Sequence, residues 1–293
     1  MRVFVYSQKL KDTDKPYIAD LFEALEAENM DIYVYGPYLK TLAGEGVITK
    51  AYPTLSNYQD LKVNVPDIAF TMGGDGTILG AILHIRDLGV PILGVNLGRL
   101  GFLSNVEKTR IKDAVKSAAN GNYNIEHRTM MIVDSNIPVF GETPFCLNDF
   151  TITKRDTSSM VTIHTYVDGN FLNSYWADGI VVSTPTGSTG YSLSVGGPII
   201  FPNSGNFVIA PIAPHNLNVR PVVLSDISTI SFEIEGRSEN FLTTLDSRYE
   251  TITSEHKITV QKCDFKIALA HPNDISFMKT IRNKLLWGLD KRN

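Results

Sequence analysis

The first 125 residues alternate short apolar runs with segments in which apolar residues repeat at helical spacing. Strand-like runs cover 3–6, 32–35, 68–72 and 91–95, and helical spacing covers 16–28 and 77–87. Strands that alternate with helices form parallel sheets with the helices packed on their faces. The order therefore predicts an α/β domain with a Rossmann-like parallel sheet over residues 1–126.

Beyond about His127 the pattern changes to short β-rich segments separated by turn residues, such as Asp168-Gly169-Asn170 and Glu235-Gly236-Arg237. The strand-like segments are 150–153, 161–167, 179–183, 227–234, 257–261 and 265–269. This pattern predicts an all-β domain over 127–270, built as a sandwich or as layered sheets. Within 271–293, apolar residues at spacings of four predict a closing helix that packs back on the first domain. These residues are Phe277, Ile281, Leu285 and Leu289.

Charge and hydropathy exclude several classes of function. The net charge is −4, so no global basic field attracts nucleic acid or an anionic membrane. No run of about 18 apolar residues is long enough to span a bilayer, and no signal-peptide core precedes the first strand, so we expect a cytoplasmic location. Cys146 and Cys263 show no metal-type or redox-type spacing and are expected to be buried thiols.

The segment Gly73-Gly74-Asp75-Gly76-Thr77 lies directly after an apolar strand and directly before a helical pattern. Glycines let backbone amides approach a ligand closely, and a helix N-terminus attracts phosphate. On spacing alone, a purely structural turn fits equally well. Asp75 favours a catalytic role over a purely structural turn. A carboxylate repels phosphate unless a cation lies between them or the carboxylate takes part in the reaction, and no Walker lysine supplies that charge. We therefore expect a divalent ion, Mg²⁺, with Asp75 accepting a proton from an attacking hydroxyl.

Two further clusters have candidate polar groups. Asn148-Asp149 pairs an amide with a carboxylate, which suits a sugar diol, although such a dipeptide is more often a turn. Asp178 and Gly179 precede a strand and then a loop of hydroxyls and glycines over 183–192, in which the Tyr191 ring offers a stacking surface. Taken alone, that loop is also typical of a polar turn between strands.

Together these segments resemble the NAD kinase family. Segment 73–77 is similar to the family's signature loop, with Asp75 at the position of the proton acceptor and Gly73, Gly74, Gly76 and Thr77 as the phosphate loop. Segments 98–103, 178–189 and 214–221 are similar to its later motifs. The resemblance implies dinucleotide contacts from Gly76, Phe102, Asn148, Asp149, Asp178, Thr189, Gly190, Tyr191, Ser192, Ser194, Ala213 and Arg248.

Four positions depart from the family pattern. Asp149 stands where Glu is common, Gly190 where Ala is usual, and Trp176 where a basic residue is frequent. Asp246-Ser247-Arg248 replaces the usual Asp-Gly turn, which weakens the assignment of Arg248. The role of Trp176 stays open.

The resemblance implies that the chain phosphorylates the 2′-hydroxyl of the adenosine ribose of NAD, with ATP or polyphosphate as donor. It also implies a homo-oligomer, usually a tetramer, in which some contacts come from a neighbouring subunit. Two alternatives remain at this stage. Lipid and sphingoid-base kinases share the Gly-Gly-Asp-Gly-Thr loop but need an apolar acceptor site, and a non-catalytic dinucleotide sensor would not require Asp75.

Overall fold

A computed structural model describes residues 1–155, 160–236 and 238–287. The chain divides into two compact units, the first formed by Met1–His127 with Ile267–Asn293 and the second by Arg128–Lys266. No helix among the described residues is long and apolar enough to cross a membrane.

The first unit contains a parallel β-sheet. The sheet order is the end of β18, then β5, β4, β1, β2 and β3, and all the neighbouring strands are parallel. Every residue of β4 and β5 is buried, as expected for central parallel strands covered on both faces. The strands are β1 Arg2–Tyr6, β2 Asp31–Tyr35, β3 Thr54–Leu55, β4 Ile68–Met72, β5 Ile92–Asn96 and β6 Val106–Glu107.

Three helices of the first unit bury an apolar face in a core that they share with this sheet. In the first helix, Ile18, Leu21 and Leu25 are fully buried at spacings of three and four. The helices are α1 Lys15–Ala27, α2 Gly36–Gly44, α3 Tyr58–Val63, α4 Asp75–Ile85, α5 Ile111–Ala119 and, after the last strand, α7 Phe277–Leu285. The apolar faces of α1, α2 and α5 share one hydrophobic core with β1, β2, β4 and β5.

The second unit consists of two sheets with mainly antiparallel pairing around a shared core. One sheet runs β14-β13-β12-β9-β16-β17, and the other contains β11-β10-β15-β18 together with β7 and β8. Phe150 and Ile180 from the first sheet and Ile163 and Phe232 from the second belong to the same buried cluster. A short helix, α6 Tyr191–Ser194, follows β12. The strands are β7 Asn124–Ser135, β8 Phe145–Cys146, β9 Asp149–Lys154, β10 Val161–Val167, β11 Asn170–Ala177, β12 Gly179–Ser183, β13 Asn206–Ile212, β14 Val222–Ser225, β15 Ile230–Gly236, β16 Phe241–Leu245, β17 Arg248–Ile252 and β18 Ile258–His271.

The predicted fold class is confirmed: an α/β sheet, a β-rich part and a C-terminal helix assigned to the first unit. The expected strands 257–261 and 265–269 are instead one continuous strand, β18, which pairs with β15 near its start, with β5 near its end and also with β7. The turn expected at Glu235 and Gly236 is the end of β15, and Arg237 lies outside the described residues. Leu289, expected on the last helix, also lies outside them.

Candidate active site

The glycine loop joins β4 to α4 and leaves a helix N-terminus facing outward. Gly73 has φ +155°, and a side chain there would collide with the Thr77 hydroxyl, so the position requires glycine. Its N–H donates to Val95 O at 2.9 Å, which ties the turn to β5. The helix begins at Asp75, and Gly74 and Gly76 are exposed. The loop therefore presents backbone amides and a positive helix end to an anion.

Asp75 is held by the loop that follows β5. Its Oδ1 accepts the N–H groups of Leu103 at 3.1 Å and Ser104 at 2.9 Å, and its Oδ2 accepts that of Phe102 at 2.8 Å. The Ser104 hydroxyl closes the arrangement by donating to Gly73 O at 2.8 Å. A carboxylate offers about four acceptor positions, so these three N–H groups leave the second position on Oδ2 unused.

The backbone of Asn148 and Asp149 is held by Asp246. The Asp246 carboxylate accepts the N–H of Leu147 at 3.0 Å, that of Asn148 at 2.7 Å and, more weakly, that of Asp149 at 3.3 Å. In return, the Asp246 N–H donates to Asp149 O at 2.9 Å. Asp246 has φ +52°, a left-handed conformation that aspartate tolerates in turns. This turn fixes the direction in which the Asn148 and Asp149 side chains leave the backbone.

Burial gives Asp149 an unusual titration. The side chain is buried, and this desolvation, with the nearby Asp246 carboxylate as a second cause, raises the pKa of Asp149 to about 7, although the Tyr191 N–H lowers it in part. Burial also raises the pKa of Asp246, against the opposing effect of its three N–H donors. Asp149 is therefore poised to change protonation state near neutral pH.

The loop after β12 packs on the same segment. The Thr184 hydroxyl donates to Leu147 O at 2.5 Å, and a side chain on Gly187 would collide with the Asn148 backbone. A methyl group on Gly190 would stand 3.6 Å from Asp149 Oδ2. These contacts bring one group of the expected dinucleotide residues to one end of β12, namely Asn148, Asp149, Thr189, Gly190, Tyr191, Ser192 and Ser194.

Within this group the side chains differ in exposure. Tyr191 is 42% exposed, so part of this aromatic side chain is accessible to a ligand, and Ser194 is also exposed. Ser192 is buried, and its hydroxyl has no hydrogen-bond partner among the described residues. The Thr189 hydroxyl is directed to Thr186 O at 3.2 Å.

Asp178 and Ala213 lie at the other end of β12. In the sheet register Gly179 pairs with Ile212, whereas Ser183 pairs with Asp149, so the two ends are separated by roughly 13 Å of extended strand. Ala213 is exposed with φ +44°, an uncommon conformation for alanine. The expected dinucleotide residues of the second unit therefore lie in two places, one at each end of β12.

The surroundings of Asp178 contain a residue that the sequence reasoning missed. Lys154 Nζ forms an ion pair with Asp178 Oδ1 at 2.6 Å. Trp176, 55% exposed, lies against His215 with ring centroids 4.8 Å apart. Only the register of β9 against β12 brings Lys154 to Asp178, and no local motif announces it.

Arg248 is engaged within its own unit. Its Nη1 donates to the Thr143 carbonyl at 2.6 Å and hydroxyl at 2.9 Å, its Nη2 donates to Phe145 O at 2.5 Å, and the guanidinium lies over the Phe140 ring. Burial lowers the pKa of Arg248. The structure thus places the guanidinium on the backbone that leads to Leu147.

The described residues contain no group of three or more His, Cys, Asp and Glu side chains arranged to hold a metal ion. Mg²⁺ bound with a nucleotide commonly uses one or two protein carboxylates together with substrate phosphates. Asp75 lies beside the glycine loop with three acceptor positions taken by backbone amides, so an ion that arrives on phosphates would depend mainly on those phosphates and on water.

Comparison with known proteins assigns both parts of the chain. Residues 9–123 match the ATP-NAD kinase N-terminal domain, and residues 147–271 match the ATP-NAD kinase C-terminal domain. A protein named NAD kinase from Cytophaga hutchinsonii is 44% identical over 290 residues, covering 99% of each chain. One from Flavobacterium psychrophilum is 42% identical over 295 residues, covering all of both chains.

Solved structures share the fold. The structure of yeast NADH kinase complexed with NADH matches with a TM-score of 0.86 at 23% identity, covering 98% of this chain and 88% of that one. An NAD kinase from Archaeoglobus fulgidus in complex with ATP matches with a TM-score of 0.76 at 23% identity, covering 98% and 99%.

Proposed function

The chain belongs to the NAD kinase family and is a phosphotransferase, and we propose that it transfers the γ-phosphoryl group of ATP to the 2′-hydroxyl of the adenosine ribose of NAD. In this reaction the ribose oxygen forms a bond to the γ-phosphorus and the bond to the β-phosphate oxygen breaks. The products are NADP and ADP, and the hydroxyl proton must go to a base.

The arrangement around Asp75 is the observation that carries the mechanism. Three backbone amides fix the carboxylate, and one acceptor position on Oδ2 remains for the attacking hydroxyl. An ordinary aspartate does not deprotonate a sugar hydroxyl beforehand, so Asp75 accepts the proton late, as the new bond acidifies that hydroxyl. The amides at the start of α4, with Gly73, Gly74, Gly76 and Thr77 as the phosphate loop, offset charge on the transferred group.

The segment 147–149, which Asp246 holds, is the proposed binding site for the acceptor ribose. Asn148 donates and accepts through its amide, and Asp149 accepts from ribose hydroxyls, so the pair orients the diol. Tyr191 supplies a face for a base, and Thr189, Gly190, Ser192 and Ser194 line its surroundings. Gly76 and Phe102 are proposed dinucleotide contacts from the glycine loop and the loop after β5. Arg248 serves this site through the backbone that it holds.

A divalent ion, Mg²⁺, is proposed to arrive on the donor phosphates and to be held there by phosphate oxygens and water, so that the remaining acceptor position of Asp75 stays with the ribose hydroxyl. When bound, the ion neutralises charge that develops on the phosphates. Inorganic polyphosphate would offer the same chemistry as ATP, so both are tested as donors.

A homo-oligomer, a tetramer in the family pattern, is proposed from the same residues. Asp178 and Ala213 lie at the opposite end of β12 from Asn148 and Tyr191, and we propose that they contact the dinucleotide together with residues of a neighbouring copy, as the family resemblance implies.

The deciding experiment incubates the purified protein with NAD, ATP and Mg²⁺ and detects NADP through an NADP-specific dehydrogenase. We expect NADP to form and Asp75→Asn to lower turnover by about 100-fold or more while NAD still binds. Near wild-type turnover in that variant would remove Asp75 from the mechanism. NAD binding without NADP from ATP or polyphosphate would support a sensor, and phosphorylation of diacylglycerol vesicles instead would support a lipid kinase.

A further inference from the structure

The loop after β5 holds the Asp75 carboxylate, although the loop itself contains no helix or strand. Residues 97–105 connect β5 to β6, and the N–H groups of Phe102, Leu103 and Ser104 all donate to that carboxylate. Groups that position a reacting side chain keep their direction only when further contacts hold them in place. The position of Asp75 therefore depends on what anchors this loop.

Asn96, the last residue of β5, anchors the loop from its start. Its Oδ1 accepts the Gly98 N–H at 2.8 Å, and its Nδ2 donates to Ser104 O at 3.2 Å. The Ser104 hydroxyl in turn donates to Gly73 O at 2.8 Å. These contacts close the loop upon itself and tie it to the glycine loop as far as Ser104.

Asn105, the last residue of the loop, is anchored by a residue from far along the chain. Its side-chain nitrogen lies 2.8 Å from Nδ1 of His271, which is 166 positions away. The parallel pairing of β18 with β5 places His271, at the end of β18, beside the strand from which the loop leaves. Asn105 Oδ1 has no hydrogen-bond partner among the described residues, so the contact with His271 is the hydrogen bond that holds this amide.

Glu126 determines which nitrogen of His271 is the acceptor. His271 is 7% exposed, and its Nε2 lies 3.4 Å from Glu126 Oε2, a charge contact whose geometry falls short of a hydrogen bond. A carboxylate favours the proton on the ring nitrogen that faces it, so Nε2 carries the proton and Nδ1 is left as an acceptor. The Asn105 side-chain N–H therefore has a matching acceptor in His271.

We propose that His271 is a positioning residue for the phosphoryl transfer, because it holds Asn105 and thereby fixes the three amides that orient Asp75. The proposal rests on the proposed function, since it deepens the role of Asp75 in that reaction. The effect of His271 passes through the backbone from Asn105 to Ser104 rather than through contact with a substrate. A misplaced base loses much of its catalytic effect, so a loosened loop lowers kcat more than it raises KM for NAD.

The kinetic test compares two substitutions of His271. His271→Leu removes the acceptor at similar size, whereas His271→Asn places an oxygen near the position of Nδ1 that accepts the same N–H. We expect kcat to fall about tenfold in the first and less than about threefold in the second, with KM for NAD within about twofold in both.

The matched control is His256→Leu in the second unit, where another buried histidine accepts the Thr253 N–H at Nδ1. We expect its kcat to stay within about twofold of the wild type, because no contact of His256 supports the loop that holds Asp75. Equal losses of kcat in the two leucine variants would overturn the proposal, and so would a failure of His271→Asn to restore kcat.

A double-mutant cycle tests whether the effect passes through Asp75. In the Asp75→Asn background the base is already absent, so His271→Leu should lower kcat by less than about twofold further. A second full tenfold loss in that background would give His271 another role and overturn the proposal. Asn105→Leu breaks the same contact from its other end, and it takes the place of His271→Leu in every comparison if that variant does not fold.

Hydrogen exchange separates this proposal from the proposed function, because it needs no turnover. We expect the amides of 102–104 to exchange at least about tenfold faster in His271→Leu than in the wild type and in His256→Leu. If the wild type forms no NADP but this difference is found, the proposed function fails and the positioning role of His271 stands. If NADP forms while exchange in His271→Leu is unchanged, the positioning role fails alone.

Discussion

The carboxylate of Asp75 packs directly against Gly101, so closely that a methyl group at position 101 would overlap its Oδ1. Glycine is required there by this close approach, since no positive φ is involved. The contact lets the next three amides of the loop reach the carboxylate together. The position of the proposed proton acceptor therefore depends on a residue that contributes no side chain.

Gly101→Ala is expected to displace the Asp75 carboxylate and lower kcat about 100-fold, because a misplaced base loses most of its effect. KM for NAD should change less. The matched control is Gly98→Ala in the same loop, where a methyl group would meet only Asn96 Oδ1, at 3.9 Å. Rates of Gly101→Ala close to those of Gly98→Ala would show that the carboxylate tolerates the shift.

Asp246→Asn is expected to loosen the segment 147–149. The new amide has one acceptor oxygen for three N–H donors and turns its own N–H₂ toward them, so we expect a loss of about 1–3 kcal/mol in the free energy of unfolding and a higher KM for NAD. Denaturant unfolding and steady-state rates measure the two. Asp168→Asn, which removes a carboxylate that accepts a single N–H at 2.8 Å from Thr229, is the control. Equal effects of the two variants would contradict the role of the Asp246 carboxylate in holding segment 147–149.

Asp149 predicts a pH dependence of stability with a definite sign. Its folded pKa of about 7 lies above the ordinary aspartate pKa of 3.8, so between these values the folded state binds more protons than the unfolded state. The stabilisation is complete below the unfolded pKa and is lost as pH rises through about 7. We expect the free energy of unfolding of the wild type to fall by a few kcal/mol more than that of Asp149→Asn between about pH 5 and 8. Parallel curves for the two proteins would contradict this.

The layers of the fold were predictable because each depends on local pattern. Residues 68–70 and 92–95 are continuous apolar runs, and the loop between β4 and α4 has the glycines that its conformation requires. Ile111, Ala114, Val115 and Ala118 follow helical spacing as well, so α5 had a signal that the sequence analysis did not use. Helix α3 is only six residues long, which is too short for a clear periodicity.

The residues that hold the site residues in place could not be predicted in the same way. Asp246 reaches the amides of 147–149 because Leu245 pairs with Phe150 in the sheet, and Lys154 meets Asp178 because β9 pairs with β12. Strand register depends on which distant segments pair, and a single local sequence does not contain that information. The motif residues could therefore be named from the sequence, whereas the residues that hold them required the structure.

The substitution Arg248→Lys tests whether Arg248 contacts the dinucleotide or holds the backbone. A lysine keeps the charge but does not reproduce the planar fork that donates to Thr143 O and Phe145 O. We expect Arg248→Lys to lower the free energy of unfolding by about 1–3 kcal/mol, because buried carbonyls lose donors, while KM for NAD rises less than about threefold. Arg110→Lys, whose guanidinium lies in an exposed ion pair with Asp274, is the control for the substitution itself. A tenfold rise in KM for NAD at unchanged stability would instead make Arg248 a direct dinucleotide ligand, as the family resemblance implies.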